Sequence, residues 1–144
     1  SVGLDTNDVT GDDDLLVKNE FHIPVGREVE MFMRSRDVIH SAYMPHFRAQ
    51  MNCVPGMVTS FKFRPTKTTA EMRQDPYVIQ LMAGINKKRA ESGQEPVEFD
   101  YVLLCNKICG ASHYNMQMTI IVESEKDYEK WMAKQRAMKV LASN

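Results

Sequence analysis

The sequence predicts an all-β fold, a sandwich or barrel of antiparallel strands. Three segments alternate apolar and polar side chains, as a strand with one buried face does: residues 29–35, 57–63 and 116–122. Turn-forming residues interrupt the chain, with Pro24 two residues before Gly26 and Pro55 directly before Gly56. Strands do not alternate with helices along the chain, which argues against a parallel sheet built from βαβ units.

Two shorter segments complete the predicted strands. Residues 21–23 form a strand that ends at the turn beginning with Pro24. Residues 101–104 are apolar throughout and form a short buried strand that leads directly into Cys105.

Two helices are predicted beside these strands. Residues 76–90 place apolar side chains at helical spacing, and a basic run at the carboxyl end suits the helix dipole. The last helix begins at Ser124 as its N-cap, with Asp127 as the acidic third residue. We expect Trp131 to pack this helix on the sandwich.

Length and charge narrow the class of protein. The chain has 144 residues, which predicts a single domain over residues 1–144 with its own core. Its formal net charge of −1 provides no basic field for nucleic acid or an anionic membrane surface. The apolar runs are too short to cross a bilayer. Because the chain opens at Ser1 in a polar, acidic stretch, we expect that an upstream leader or anchor has been removed.

One twelve-residue segment concentrates soft metal ligands in a C-x3-C-x3-H-x2-M pattern. Its members are Cys105, Cys109, His113 and Met116. Two thiolates, an imidazole and a thioether suit copper, and a mononuclear blue-copper site would use only one of the thiolates. The second thiolate allows both sulfurs to bridge two copper ions, provided that a distant histidine completes the set. His40 is the candidate.

Simpler interpretations of this segment remain open. A disulfide between Cys105 and Cys109 would close a loop of little entropic value and leave His113 and Met116 unexplained. Zinc could take the two cysteines with two histidines, but it has no use for a thioether. Met116 therefore favours copper.

The other histidines and the third cysteine are interpreted as structural. His22 lies inside an apolar strand, and His46 lies between Pro45 and Phe47. Neither has a ligand partner in the sequence. Cys53 is a small, buried type of residue before a turn, and we assign it no chemistry.

Four motifs in order resemble the copper-A domain of cytochrome c oxidase subunit II. They are NEFHIPVG at residues 19–26, DVIHS at 37–41, MNCVPG at 51–56 and the loop at 105–116. The resemblance covers about residues 14–66 and 101–132. It implies a cupredoxin-like Greek-key sandwich, with an insertion at residues 67–100 that contains the first helix, and with a C-terminal helix.

The resemblance also implies the ligands of a binuclear, mixed-valence copper centre. The sulfurs of Cys105 and Cys109 would bridge the two metals. One copper would add His40 and Met116, and the other would add His113 and the backbone carbonyl of Lys107. In the family the position of Lys107 is usually a glutamate that reaches a magnesium or manganese ion. Asn52 stands where an aspartate is usual, which removes a negative charge from a face resembling the cytochrome c docking surface.

By this resemblance the expected function is electron transfer within an oxidoreductase. Electrons would pass from cytochrome c or a similar donor to haem in subunit I of a haem-copper terminal oxidase, where oxygen is reduced. The full-length protein would be anchored by membrane helices, with this domain on the periplasmic side of the bacterial inner membrane. The alternatives are the copper-A domain of a nitrous oxide reductase-like enzyme, or a module that stores or delivers copper or zinc.

Overall fold

Two sheets and three helices make up the computed structural model, which describes residues 9–11, 14–111 and 113–135. The seven strands in this part of the chain are β1 (Glu20–Pro24), β2 (Val29–Met33), β3 (His40–Met44), β4 (Ala49–Cys53), β5 (Thr59–Phe63), β6 (Tyr101–Leu104) and β7 (Gln117–Glu123). The larger sheet has the order β1-β7-β6-β3-β4, and β2 pairs with β5 in a separate two-stranded sheet. Most of the acidic amino-terminal stretch lies outside the described residues.

The hydrophobic core lies between the two sheets. Met44, Ile120 and Val122 of the larger sheet are almost completely buried. Apolar side chains of the smaller sheet, including Met31 and Phe61, pack against this cluster. The expected sandwich is therefore confirmed, although the described strands do not close into a barrel.

One strand pair departs from the antiparallel prediction. β1 runs parallel to β7, with Glu20 opposite Thr119 and Pro24 opposite Glu123. A parallel pair needs a long crossover, and here almost the whole domain lies between the two strands. Alternation of side chains identifies a strand but contains no information on the direction of its neighbour.

The hairpin formed by β3 and β4 was not predicted from the sequence. A single 3-10 turn at Pro45–Phe47 connects the two strands, and Arg48 closes it with a left-handed φ of 54°. His40 is the first residue of β3, directly opposite Cys53. His40 therefore begins a strand that was not predicted.

Residues 67–100 contain two helices, α1 (Thr69–Arg73) and α2 (Pro76–Glu91). The sequence predicted α2 but not α1, which Thr68 and Glu71 cap reciprocally. Asp75 caps α2 by accepting a hydrogen bond from the Tyr77 amide. Val78 is the buried residue of α2 and joins the main core.

The third helix, α3 (Glu125–Lys134), packs on the edge of the larger sheet. Ser124 caps it by accepting a hydrogen bond from the Asp127 amide, as predicted. The Trp131 ring stacks on the His22 ring of β1, with ring centroids 4.5 Å apart. The expected role of Trp131 in packing this helix is therefore confirmed.

No helix in the described ranges is long and apolar enough to cross a membrane.

The strand directions bring several chain segments to one end of the sandwich. Leu104 ends β6 opposite Gln117, the first residue of β7. β3 runs antiparallel to β6, so its first residue, His40, lies towards the same end. Ser35, after β2, forms a bridge with Pro55, after β4. The loop that begins at Cys105 therefore leaves the sheet beside the start of β3.

Shortening the side chain of Ile120 should destabilise the domain strongly. Ile120 has 0% exposure, so Ile120→Ala removes core contacts and leaves a cavity. The free energy of unfolding should fall by about 2–5 kcal/mol, measured by urea denaturation of the metal-free chain. Ile79→Ala is the control, because Ile79 is 53% exposed and its loss should cost under about 0.5 kcal/mol. Equal losses in both variants would contradict the assignment of the core.

Candidate metal centre

Backbone hydrogen bonds close the loop that carries the soft ligands. The Cys105 amide donates to the Met116 carbonyl at 3.1 Å, so the two ends of the loop continue the pairing of β6 with β7. Further along, the His113 amide donates to Gly110 and the Met116 amide donates to His113. Gly110 has a φ of 141°, which favours glycine. Ligands eleven residues apart in sequence therefore lie together at the sheet end.

The two cysteine sulfurs form the middle of the cluster. Cys105 Sγ and Cys109 Sγ lie 3.5 Å apart. Cys109 Sγ is 3.5 Å from His113 Nδ1 and 3.2 Å from Met116 Sδ. On the other side, Cys105 Sγ is 3.5 Å from the Lys107 carbonyl oxygen, while the Lys107 side chain is exposed. Three further ligand atoms therefore lie within 3.5 Å of one or the other sulfur.

His40 reaches this cluster from the start of β3. One of its ring nitrogens and both cysteine sulfurs lie within 4.8 Å of one another. Its Nε2 is 2.7 Å from Asp37 Oδ1, whereas Nδ1 is buried and has no hydrogen-bond partner among the described residues. A buried polar atom without a partner is costly in a folded protein. A metal ion held by Nδ1 would remove this cost, so the residues present fit a metal centre.

The contact with Asp37 controls the charge on both side chains. The hydrogen bond from His40 lowers the pKa of Asp37 to about 2, so this carboxylate is ionised at any physiological pH. The same bond raises the pKa of His40 despite its partial burial. Metal-ligating histidines commonly donate their second ring N–H to a carboxylate, which fixes the ring orientation. Asp37 supplies that carboxylate here.

The two cysteines differ in their acidity. Burial raises the pKa of the Cys105 thiol, but hydrogen bonds from the backbone of Lys107 and Ser41 and from Cys109 and His113 outweigh burial and lower this pKa to about 6. Burial and the neighbouring Cys105 sulfur raise the pKa of Cys109. One thiolate and one thiol therefore share the site at neutral pH, and the thiolate is the form that binds metal.

The structure brings together all six predicted ligands: His40, Cys105, Lys107, Cys109, His113 and Met116. It places His22 against Glu123 and Trp131, where His22 Nδ1 lies 2.7 Å from Glu123 Oε1. These contacts are structural, as predicted for this residue.

His46 and Cys53 stand outside the ligand cluster. The His46 ring contacts the edges of Phe99 and Tyr101, and burial lowers its pKa. Cys53 pairs with His40 across the β3–β4 hairpin, but it is not part of the group of ligand atoms within 4.8 Å.

Sequence reasoning assigned no role to Asp37 or to the Ser41 backbone. The signal for Asp37 was its position three residues before His40, a spacing at which the two side chains can meet in a tight bend. The Ser41 amide carries no signal, because any residue supplies a backbone amide.

Alkylation of the metal-free chain should select one cysteine. Iodoacetamide should modify Cys105 with half-maximal rate near pH 6, because only the thiolate reacts. Cys53 should react slowly at pH 7, since burial raises its pKa. Digestion and mass spectrometry after short exposures would give the three rates. Equal modification of Cys53 and Cys105 at pH 7 would contradict the charge assignment at this site.

Comparison with known proteins identifies the family. Residues 4–75, which are half of the chain, match the family described as "Cytochrome C oxidase subunit II, periplasmic domain". An alternative cytochrome c oxidase subunit 2 of Bradyrhizobium diazoefficiens is 37% identical over 136 residues, covering 94% of this chain and 38% of the relative. A cytochrome c oxidase subunit 2 of Thermostichus vulcanus is 29% identical over 123 residues, covering 85% of this chain and 28% of the relative.

A solved structure supports the fold. The periplasmic domain of subunit II of cytochrome oxidase of Bradyrhizobium japonicum superposes with a TM-score of 0.58 at 22% identity, covering 88% of this chain and 68% of that one. The chain spans 38% and 28% of the lengths of the two sequence relatives. On the match over residues 4–75, the chain belongs to the family of cytochrome c oxidase subunit II periplasmic domains.

Proposed function

We propose that this chain holds a binuclear copper-A centre and transfers single electrons through it. The observation that carries the proposal is the pair of cysteine sulfurs 3.5 Å apart, with ligand atoms of Lys107, His113 and Met116 within 3.5 Å of one or the other sulfur. Membership in the subunit II family implies copper. A mononuclear blue-copper site would use only one of these sulfurs.

The donor set favours copper over zinc. Met116 Sδ lies 3.2 Å from Cys109 Sγ, so the thioether is part of the cluster and not of the β7 core. Thioethers and thiolates are soft ligands that suit copper, whereas structural zinc sites use thiolates and imidazoles. The Lys107 carbonyl adds a backbone oxygen that does not depend on the side chain at that position.

The residues of this chain would keep the ligands still while the charge of the centre changes. Bound copper supplies the redox chemistry, with one electron shared between two metals. Asp37 holds the His40 ring through Nε2 and leaves Nδ1 for the metal. The backbone bond between Cys105 and Met116 fixes both ends of the loop on the sheet. Little atomic movement on electron transfer means a small reorganisation cost and therefore fast transfer.

We propose that the parent protein takes electrons from cytochrome c or a similar donor and passes them to haem in the catalytic subunit of a terminal oxidase. The names of the sequence relatives support this role. The family description supports a periplasmic position for this domain.

Copper stoichiometry together with the electron-spin spectrum tests the proposal. The chain reconstituted with copper should bind two ions, become purple and show a seven-line copper splitting, since one unpaired electron is shared by two copper nuclei. A single copper with a four-line splitting would overturn the binuclear assignment. Binding of zinc or Cu(I) without any mixed-valence spectrum would favour a storage or delivery module.

Loss of a bridging sulfur should be far more damaging than loss of the thioether. Cys109→Ser should abolish the seven-line spectrum, because serine is a much harder ligand than a thiolate. Met116→Leu is a nearly isosteric change that leaves both sulfurs in place, so copper should stay bound while the spectrum and potential shift. A Cys109→Ser variant with an unchanged spectrum would rule out the bridge.

Two of the four histidines should matter for copper binding and two should not. His40→Ala and His113→Ala should each weaken copper binding at least tenfold, in line with the loss of a metal ligand or its support. His22→Ala and His46→Ala should leave the optical spectrum intact, because these rings contact aromatic side chains away from the cluster. Competition with a copper chelator gives the affinities. Bleaching by His46→Ala with no effect of His40→Ala would show that the upstream ligand is assigned wrongly.

A further inference from the structure

Exposed apolar side chains are concentrated around the metal centre. Of the large hydrophobic residues that are exposed in the described part of the chain, seven lie on segments at this end: Val38, Ile39, Met57, Val58, Ile108, Tyr114 and Met116. Ile108 and Tyr114 are 98% and 89% exposed, so neither contributes to the core. We call the described residues of segments 34–40, 53–58 and 105–116 the metal-end face.

Strand pairing holds the three segments of this face together. Ser35 bridges to Pro55, and His40 pairs with Cys53, which joins the first two segments. The ligand atoms of His40, Cys105 and Cys109 join the first segment to the third. The face is therefore one continuous surface over the ligand cluster.

The metal-end face is basic although the chain as a whole has a formal charge of −1. Its basic residues are Arg34, Arg36 and Lys107, all exposed, and segment 53–58 has no charged residue. Asp37 is its single acidic residue, and the hydrogen bond with His40 engages that carboxylate. Even if Arg36 is left out, the two basic residues Arg34 and Lys107 outnumber the one acidic residue, Asp37. In a copper-loaded site, the negative charge of two bridging thiolates would not exceed the positive charge of two copper ions. The face would therefore stay basic.

We infer that the electron donor of this protein docks on the metal-end face through apolar contacts and presents an uncharged or acidic rim, not a rim of lysines. This inference rests on the proposed electron-transfer function. Charges across an interface set the rate of encounter, and like charges slow it. An exposed isoleucine and tyrosine beside the ligands suit the apolar centre of a small, transient interface.

Electron transfer from two donors of opposite charge tests the inference. The copper-loaded chain is mixed with a reduced, lysine-rimmed cytochrome c or with a reduced acidic cytochrome c, and haem absorbance gives the second-order rate constant. Ionic strength is varied from about 10 mM to about 150 mM, over which the screening length falls from about 30 Å to about 8 Å. The rate with the basic donor should rise with added salt, and the rate with the acidic donor should fall. A rate with the basic donor that falls with salt would overturn the inference.

Variants separate the charge of the face from its apolar surface. Lys107→Glu should speed the basic donor and slow the acidic one several-fold at low salt. Lys87→Glu makes the same change of charge on an exposed residue of α2, whose Asn86 side chain bonds to Val97 ahead of β6 and away from the metal end. It should alter neither rate by more than a small fraction. Ile108→Ser should slow both donors at every salt concentration. Equal effects of the two lysine variants, or no effect of Ile108→Ser, would contradict the assigned surface.

Docking is also measured without electron transfer, which separates this inference from the proposed function. Amide chemical shifts of the isotopically labelled chain, metal-free and copper-loaded in the reduced state, are followed while each donor is added. The acidic donor should shift amides of the metal-end face, and the basic donor should shift them less. With these shifts but no electron transfer, the inference would stand and the proposed function would fail. Amide shifts on this face that grow with protein concentration in the absence of a donor would show that a second copy of the chain binds there. That result would overturn the inference.

Discussion

The pairing of β6 with β7 is the constraint on which the ligand cluster depends. Leu104 and Gln117 are the last pair of the ladder, and the Cys105 amide bonds the Met116 carbonyl directly beyond it. A slip of one residue in this register would turn every side chain of β7 to the opposite face of the sheet. Burial of Ile120 and Val122 makes such a slip costly. The hydrophobic core thus determines where the loop begins and ends, and thereby where its ligands meet.

A second constraint acts on the ligand from outside the loop. β3 enters the sheet at His40, so the position of its backbone is set by pairing with β4 and β6. The orientation of the ring is set separately by the Asp37 carboxylate at 2.7 Å. These two controls leave Nδ1 buried and without a hydrogen-bond partner in the described part of the chain, which is unfavourable in the protein alone and favourable once a metal is held. At this atom, the arrangement that leaves a nitrogen available to the metal also lowers the stability of the metal-free domain.

The sequence predicted the cluster because its ligands lie close together in the chain. Four soft ligands in twelve residues limit the possible arrangements, and the short predicted strand before Cys105 placed them at a sheet end. The helix at residues 76–90 was predicted for a similar local reason, the helical spacing of its apolar side chains and the basic run at its carboxyl end. His40, which lies 65 residues before Cys105, was chosen because the loop needs a further histidine, and the resemblance to subunit II then implied the same ligand.

Other features were missed because they depend on contacts distant in sequence. β3 does not alternate apolar and polar side chains, whereas β4 does alternate over Ala49–Cys53, so that β4 had a readable signal and was overlooked. The pairing of β3 with β4 follows from the turn at Pro45–Phe47. The parallel pairing of β1 with β7 joins segments about a hundred residues apart. The hydrogen bond of Asp37 depends on the bend between β2 and β3, which composition does not reveal. The short helix α1 had a readable signal in its capping box, Thr68 and Glu71, but its length gave no periodicity.

In the copper-loaded chain, the sulfurs of Cys105 and Cys109 should each contact two metal ions. X-ray absorption at the copper edge of the reconstituted chain tests it most directly, because this measurement counts the neighbours of each copper by element and distance. Each copper should have two thiolate sulfurs and a second copper in its nearest shells. A single thiolate sulfur per copper, with no copper neighbour, would contradict it.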